Sequence, residues 1–452
     1  MTVGKKIITK GSLVDVKSID SLKALQYKPF RRLFIGAITS NVGTWVETVA
    51  IGIYMQTTTR NATYVAAAIA AGYVPQALMG LFSGTIADRL PRKKILVITN
   101  LGSAAIGGLL AIAIAQDFAY PWFVIFLLFL AGFLNAVTFP TWQAFLSDIV
   151  PRDKVPAALT LMFTQWNLGR VIGPAIAALF VAGGQYALAL AFNAISFLGV
   201  VGVVLLVRDH HFQNDALDRT TLTKQSRKKE LTAGWRFIFS PESHMRTPYF
   251  VFAISIFWAS PFIALIPNVA DEVFKYKNLG TSLFTTFQGI GAVLVSVFMT
   301  TLHVKYGPTR TQQVFVTTLP FVLILFGLSP NLIVASPIAL FFGMTYLGTL
   351  TSTTLATQLA TPPELKGRVA AAFMATVGFL FPLASILQSL FIKHFGARQL
   401  FVSTGIILLS LLIAIGALKK SYALPAPYNS EEPKDIATAL GETPVPVQGE
   451  SL

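Results

Sequence analysis

Cysteine is missing altogether from the 452 residues, and charge is scarce: Asp, Glu, Lys and Arg together make up 12%. The first absence excludes disulfides, thiolate metal sites and cysteine nucleophiles, and neither a cofactor nor a metal is expected. The second excludes a water-soluble fold of this length, since soluble domains carry about 25% charged residues. Also missing is the sustained apolar–polar alternation that a membrane β-barrel needs. What fills the chain is hydrophobic, 54% of residues at a mean hydropathy of +0.64. It is arranged in nearly uncharged runs of about 20 residues, enough for a helix to cross ~30 Å of hydrocarbon.

Twelve such spans are read at 33–56, 64–87, 95–115, 121–149, 157–181, 186–207, 247–268, 281–302, 311–329, 332–358, 369–392 and 399–418. The expected fold class is an all-α polytopic membrane protein with twelve transmembrane helices in two six-helix halves. The chain divides into an N-terminal segment (1–32), a first bundle (33–207), a central loop (208–246), a second bundle (247–418) and a tail (419–452). In the central loop "KQSRKKELTAGWRFIFS" is expected to form an amphipathic helix, with Leu231, Trp235, Phe237 and Ile238 on the membrane face. The tail is rich in Pro, Glu and Ser and is expected to be disordered. The first 32 residues are polar and basic, so span 1 rather than a cleaved signal is expected to direct membrane insertion.

A net charge of +15 could indicate a nucleic-acid partner, but its placement argues otherwise. Of the 35 Lys and Arg, 29 fall on the side that carries both termini, 5 on the opposite side, and Arg170 alone lies within a span. That asymmetry places both termini in the cytoplasm. The lipid bilayer is the expected partner and nucleic acid is not, and the protein is expected to act as a monomer.

The halves echo each other. "VPRDKVPAA" (150–158) matches "PPELKGRVAA" (362–371), and the charge knot "GTIADRLPRKK" (84–94) has a weaker counterpart in "TTLHVKYGPTR" (300–310). Repeated halves joined by a long middle loop belong to a transporter architecture. "GTIADRLPRKK" resembles the major facilitator superfamily signature G-x-x-x-D-R-x-G-R-R: Gly84, Asp88, Arg89, Arg92 and Lys93 fall on the pattern, and Pro91 stands at the later glycine. "GRVIGPAIAA" in span 5 resembles the Gly-Pro signature of proton-driven exporters through Gly169, Gly173 and Pro174, with Ala177 and Ala178 at its final glycines. The stretches "FRRLFIGAITSNVGTWVETVAIGIYM" and "SDIVPRDKVPAALTLMFTQWNLGRVIGPAIAA" are similar to the branch containing the enterobactin exporter and the transmembrane secretion effectors. The resemblance, over 25–420, implies the major facilitator fold with pseudo-symmetric halves. It also implies a multi-pass protein of the bacterial inner membrane that exports siderophores, drugs or other amphiphiles against entering protons.

On that reading the knot is a conformational latch. Asp88 is placed to sit against the N-terminus of span 11, where unpaired N–H groups favour an anion. Arg92 is placed to pair with Asp148 at the end of span 4, as the family's charge relay implies, and Gly84 and Arg89 complete the tight loop. The cluster would hold the outward-facing state. Lys93 and Lys94 read as ordinary cytoplasmic charges.

Two formal charges lie deep in spans. Glu47 and Arg170 stand about 21 and 20 Å along helices of the same direction, and lone charges at such depth are costly and often functional. They are expected to form an ion pair, or to share a polar site with Asn41 and Asn167. Glu47 is then a proton carrier, a structural partner of Arg170, or a ligand for a cationic substrate; Glu47, Arg170 and Asp148 are the proton-coupling candidates. Gly173-Pro174 reads as helix packing and local bending.

Substrate-cavity candidates are Asn41, Asn135, Trp142, Gln143, Asn167, Trp258, Tyr346 and Thr349, on spans the resemblance implies to line the cavity, with Thr138, Phe257, Thr345, Ser352 and Thr353 beside them. Hydroxyls and aromatics of this kind suit a neutral or amphiphilic molecule better than a compact anion. "HHFQND" (210–215) matches an acyl-transfer pattern through His210 and Asp215, but Ala216 replaces the expected glycine in a loop, and chance accounts for it. "NAT" (61–63) is a glycosylation sequon by pattern only. The expected function is proton-coupled export of a small amphiphile by alternating access, not enzymatic. A lipid or lysolipid flippase and an uptake symporter of the same fold are the alternatives. Rivals outside transport are a membrane enzyme using His210 and Asp215 and a scaffold acting through the acidic tail.

Overall fold

The computed structural model describes residues 23–151, 154–207, 227–241, 243–259, 261–362 and 365–419. Among them the architecture is helical, without strands. After a short turn of 3₁₀-helix, Lys23–Gln26, come α1 (Lys28–Thr59), α2 (Ala62–Arg89), α3 (Arg92–Ala115), α4 (Pro121–Ile149), α5 (Val155–Ala182) and α6 (Tyr186–Leu206). The second half contains α7 (Arg227–Phe239), α8 (Arg246–Ala259), α9 (Pro261–Glu272), α10 (Lys277–Leu328), α11 (Leu332–Leu359), α12 (Lys366–Phe395) and α13 (Ala397–Lys419).

Ten stretches of these helices are long and apolar enough to cross a membrane. Helices α1 and α5 have the length, at 32 and 28 residues, and they are the two that hold Glu47 and Arg170. Helix ends follow local chemistry. Prolines open α1, α4 and α5, where the missing N–H costs nothing. The Asn331 side chain accepts from Val334 N–H and starts α11, and Arg60, in the left-handed region, ends α1.

Two prolines, Pro261 and Pro308, mark points where helix continuity is decided. Span 7 runs through α8 and α9 as one apolar stretch, Arg246–Glu272, with Pro261 inside it. Proline has no N–H to offer the carbonyl four residues back, that of Phe257. Spans 8 and 9 are two helices, as expected, joined within α10 at Gly307, whose φ of 77° and ψ of 157° suit glycine. Pro308 follows it.

Within the first half α2 packs on α4, α3 on α6, and α1 on both α5 and α6. In the second, α10 folds back on α11 and also holds α13 and α9. The halves meet chiefly through α2 against α12 and α5 against α10.

The amphipathic helix in the central loop forms as expected over Arg227–Phe239, but its apolar face does not lie on the membrane. Phe237 and Ile238 are buried in the core of the second half. Gly234 lies directly against the Arg368 carbonyl of α12. Trp235 packs edge-on against Tyr249, and Arg246 Nε donates to Phe239 O at 2.6 Å. A protein surface was available and apolar, so the face was covered by α12 and α8. The Leu231 side chain, residues 1–22, the tail from 420, and His210 and Asp215 with the rest of "HHFQND" lie outside the described residues.

Candidate substrate and coupling site

Polar side chains in these helices divide by type. Most hydroxyls bond the carbonyl four residues back on their own helix, as Thr44, Thr48, Thr349, Thr353 and Thr357 do. The longer amides more often reach other helices and so tie the bundle together. Asn41 Nδ2 donates to Gln165 Oε1 at 2.9 Å, joining α1 to α5.

Helix α5 is held on both sides by close backbone approach. Its Gly169 and Gly173, one turn apart, lie on Asn41 and Trp45, also one turn apart on α1. A methyl group at Gly173 would run into Trp45 Cβ. On the other side Gly289 of α10 sits where an added Cβ would be 2.7 Å from the Arg170 carbonyl. The Gly-Pro motif thus acts here as a packing stripe.

Arg170 itself lies where both halves converge. Its guanidinium carbon is 5.3 Å from the centroid of the Trp45 ring. Tyr73 of α2 and Tyr346 of α11 are near enough to act on it electrostatically. Tyr73 in turn meets Phe381 of α12 at a ring distance of 4.7 Å, and Tyr346 stacks on Phe342 at 5.4 Å. Arg170 Nε is buried without a hydrogen-bond partner, although the residue as a whole keeps some exposure.

The expected Glu47–Arg170 ion pair does not form. Glu47 Oε2 accepts from Asn193 Nδ2 of α6 at 2.5 Å, while Arg170 stacks on Trp45. Equal depth fixes height and not direction: Trp45 and Glu47 are two residues apart, about 200° around α1. Trp45 faces α5 and Glu47 faces α6.

Arg92 and Asp148 meet as expected, Nη1 to Oδ1 at 2.6 Å, and Arg92 also donates to Ala144 O at 3.2 Å. Lys93 Nζ donates to the Val207 carbonyl at 2.8 Å, at the end of α6. The side chains of Asp88 and Arg89, the surroundings of Gly84 and the side chain of Asn167 lie outside the described residues.

The remaining cavity candidates are dispersed. Asn135 and Gln143 on α4 are exposed, and Trp142 packs with the core cluster that includes Phe30 and Leu33. Trp258 packs edge-on against Phe257 at 5.0 Å. Thr349 is fully buried, its hydroxyl engaged by Thr345 O. Of the cavity candidates, Tyr346 is brought to Arg170 and Asn41 to the helix face beside it. Trp45, Tyr73 and Asn193 were not among the expected residues. The signal for Trp45 was its four-residue spacing from Asn41, matching the Gly169–Gly173 spacing on α5.

A second polar set was also missed. Asn268 Nδ2 donates to Gln56 Oε1 at 2.6 Å, and Gln56 Nε2 donates to Asp271 Oδ2 at 3.3 Å, joining α1 to α9. Asn278 Nδ2 donates to Val181 O at 3.0 Å, joining α10 to α5. Ser389 Oγ donates to Thr63 Oγ1 at 3.3 Å, joining α12 to α2. All four bonds cross between the halves at the end of the bundle away from the termini.

Comparison with known proteins accords with this geometry. The model of the transmembrane secretion effector family matches residues 19–437. The macrolide efflux protein A of Streptococcus pyogenes is 23% identical over 406 residues, covering 85% of this chain and 94% of that protein. The staphyloferrin A transporter of Staphylococcus aureus is 23% identical over 369 residues, covering 81% and 90%. Among solved structures, the nucleoside transporter NupG superposes with a TM-score of 0.72 at 12% identity, covering 86% of this chain and 99% of that one. A bacterial homologue of the human lysosomal transporter Spinster reaches 0.71 at 12% identity, covering 90% and 99%.

Proposed function

We infer the mode of action from the premise that this chain belongs to the transmembrane secretion effector family, multi-pass transporters of the major facilitator fold: it exports a small amphiphilic compound by alternating access, in exchange for protons. The observation that carries this reading is a clasp between the halves at one end of the bundle. The halves are clasped by Gln56, Asn268, Asp271, Asn278, Thr63 and Ser389 beyond the level of Arg170, on the side away from both termini.

With both termini in the cytoplasm, as the 29-to-5 distribution of basic residues supports, the clasped end is extracytoplasmic. The arrangement is then that of a protein in a bacterial plasma membrane with its extracytoplasmic end closed. Outward opening requires the clasp to part, with α5 and α10 rocking on the contact between Gly289 and the Arg170 carbonyl. The latch residues Gly84, Asp88, Arg89 and Arg92 hold the opposite end in the outward-facing state, with Arg92 braced by Asp148.

Export rather than uptake is supported by the similarity to a macrolide efflux protein. Proton coupling is assigned to Glu47. Its observed partner is a neutral amide, so a proton can be gained or lost without breaking an ion pair. The site around Arg170 joins aromatic surface to polar groups and suits a molecule with both characters.

The test is accumulation of a panel of fluorescent amphiphiles in inverted vesicles. Accumulation that rises when the lumen is acidified, and only in vesicles containing the protein, is expected. Equal accumulation with and without the gradient for every probe overturns the coupling.

A further inference from the structure

We propose that Arg170 binds the anionic group of the transported molecule, so that the substrate class is an amphiphilic carboxylate. The proposal rests on the exporter reading and narrows it.

Three observations carry it. First, no acid among the described side chains answers the charge of Arg170. A guanidinium stays protonated in proteins, and an isolated charge at this depth is expensive. Glu47, the acid at a comparable depth in the sequence, is turned to Asn193 on α6. Among the residues whose side chains are described, the other acids are Asp117, Asp148, Asp271 and Glu272, at or near helix ends.

Second, hydrogen-bonding capacity is left over. Nε has no partner, and a guanidinium presents its N–H groups as a fork matched to a carboxylate. The cation–π contact with Trp45 answers the charge without using an N–H donor.

Third, the position is the one a carried molecule must occupy. Trp45 and Tyr73 come from one half, Tyr346 and Phe381 from the other. An anion held at Arg170 would have aromatic surface from both halves for its apolar body. It would also cancel a charge that otherwise remains buried through the transport cycle. A vacant transporter therefore carries an electrostatic cost that the right cargo removes.

The experiment is equilibrium dialysis of the full-length protein in lipid nanodiscs against three matched probes: 2-naphthoate, its methyl ester and 2-naphthylmethylammonium. Protein-free nanodiscs are the background. Naphthoate is expected to bind about tenfold or more tightly than the other two, the range of a hydrogen bond to a charged group. Arg170→Gln should erase that preference, and Arg170→Lys should keep part of it, because a point charge lacks the fork.

Should Arg170→Gln fail to fold, Tyr73→Glu decides. It supplies internally the carboxylate that the substrate would bring, so naphthoate binding should fall while thermal stability holds or rises. The proposal is overturned by equal binding of acid and ester, by no probe binding above background, or by a folded Arg170→Gln that retains the preference. It is likewise overturned by a folded Tyr73→Glu that binds naphthoate unchanged. Proton-driven accumulation without anion preference sinks this inference alone; anion preference without transport of any probe sinks the exporter reading alone.

Discussion

Gln388 of α12 donates its side-chain amide to the Phe257 carbonyl at 2.9 Å, the acceptor that Pro261 leaves vacant by lacking an N–H. The carbonyl freed by the proline is thus satisfied from a neighbouring helix, as backbone in a membrane requires. Replacing Gln388 with Leu should orphan that carbonyl and cost about 1–3 kcal/mol. A lower Tm in detergent is the expected readout. In a Pro261→Ala background the helix can supply its own bond, so Gln388→Leu should then cost little. Equal losses in both backgrounds would show that Gln388 acts in some other way.

The outer clasp gives a prediction about motion. Thr63 and Ser389 bring their oxygens to 3.3 Å across α2 and α12, and the chain has no native cysteine to complicate labelling. The double variant Thr63→Cys, Ser389→Cys should cross-link under mild oxidant and halt transport, with recovery on reduction. Undiminished transport by fully cross-linked protein would mean that this end does not open during the cycle.

Much of this was legible in the sequence, and the reason is physical. Span lengths and charge asymmetry are imposed by the bilayer itself, so α1 to α6 and α11 to α13 fall close to the expected ranges. The Arg92–Asp148 contact followed from a motif. What depends on rotation about a helix axis was not legible. Glu47 and Arg170 agree in depth, yet their side chains leave for different helices because nothing in a uniformly apolar span fixes azimuth. The clasp through Gln56 and Asn268 was hidden for the same reason, since neither amide differs in sequence from one that bonds its own helix. The carbonyl left free by Pro261 was available from proline chemistry alone, but Gln388, 131 residues from Phe257, was not.

His303 offers a pH dependence. It lies between the two membrane-crossing stretches of α10, with Nε2 3.0 Å from Ser352 Oγ, and burial lowers its pKa below the ordinary 6.5. The folded protein therefore binds this proton less readily than the unfolded chain. Its contribution to stability is present above pH 6.5 and is lost as the pH falls from there toward the folded-state value. His303→Gln should flatten that acid limb in a Tm-against-pH series. An unchanged slope would remove His303 as its source.

The partner of Glu47 separates the roles open to that acid. Asn193 is neutral, so Glu47→Gln replaces a carboxylate by an amide that can still accept from Asn193 Nδ2. The variant should fold with nearly the parent Tm. Glu47→Leu, by contrast, leaves the Asn193 amide unpartnered and should cost about 1–3 kcal/mol. If Glu47 carries the proton, Glu47→Gln loses accumulation driven by a pH gradient while downhill exchange of the same probe survives. Combining it with Arg170→Gln should bring no rescue of stability, because the two side chains do not pair. Rescue by the double change would restore the ion-pair reading. Full pH-driven accumulation by Glu47→Gln alone would take Glu47 out of the coupling path. Asp148, already paired with Arg92 at the helix ends, would then be the acid to replace with asparagine in the same assay.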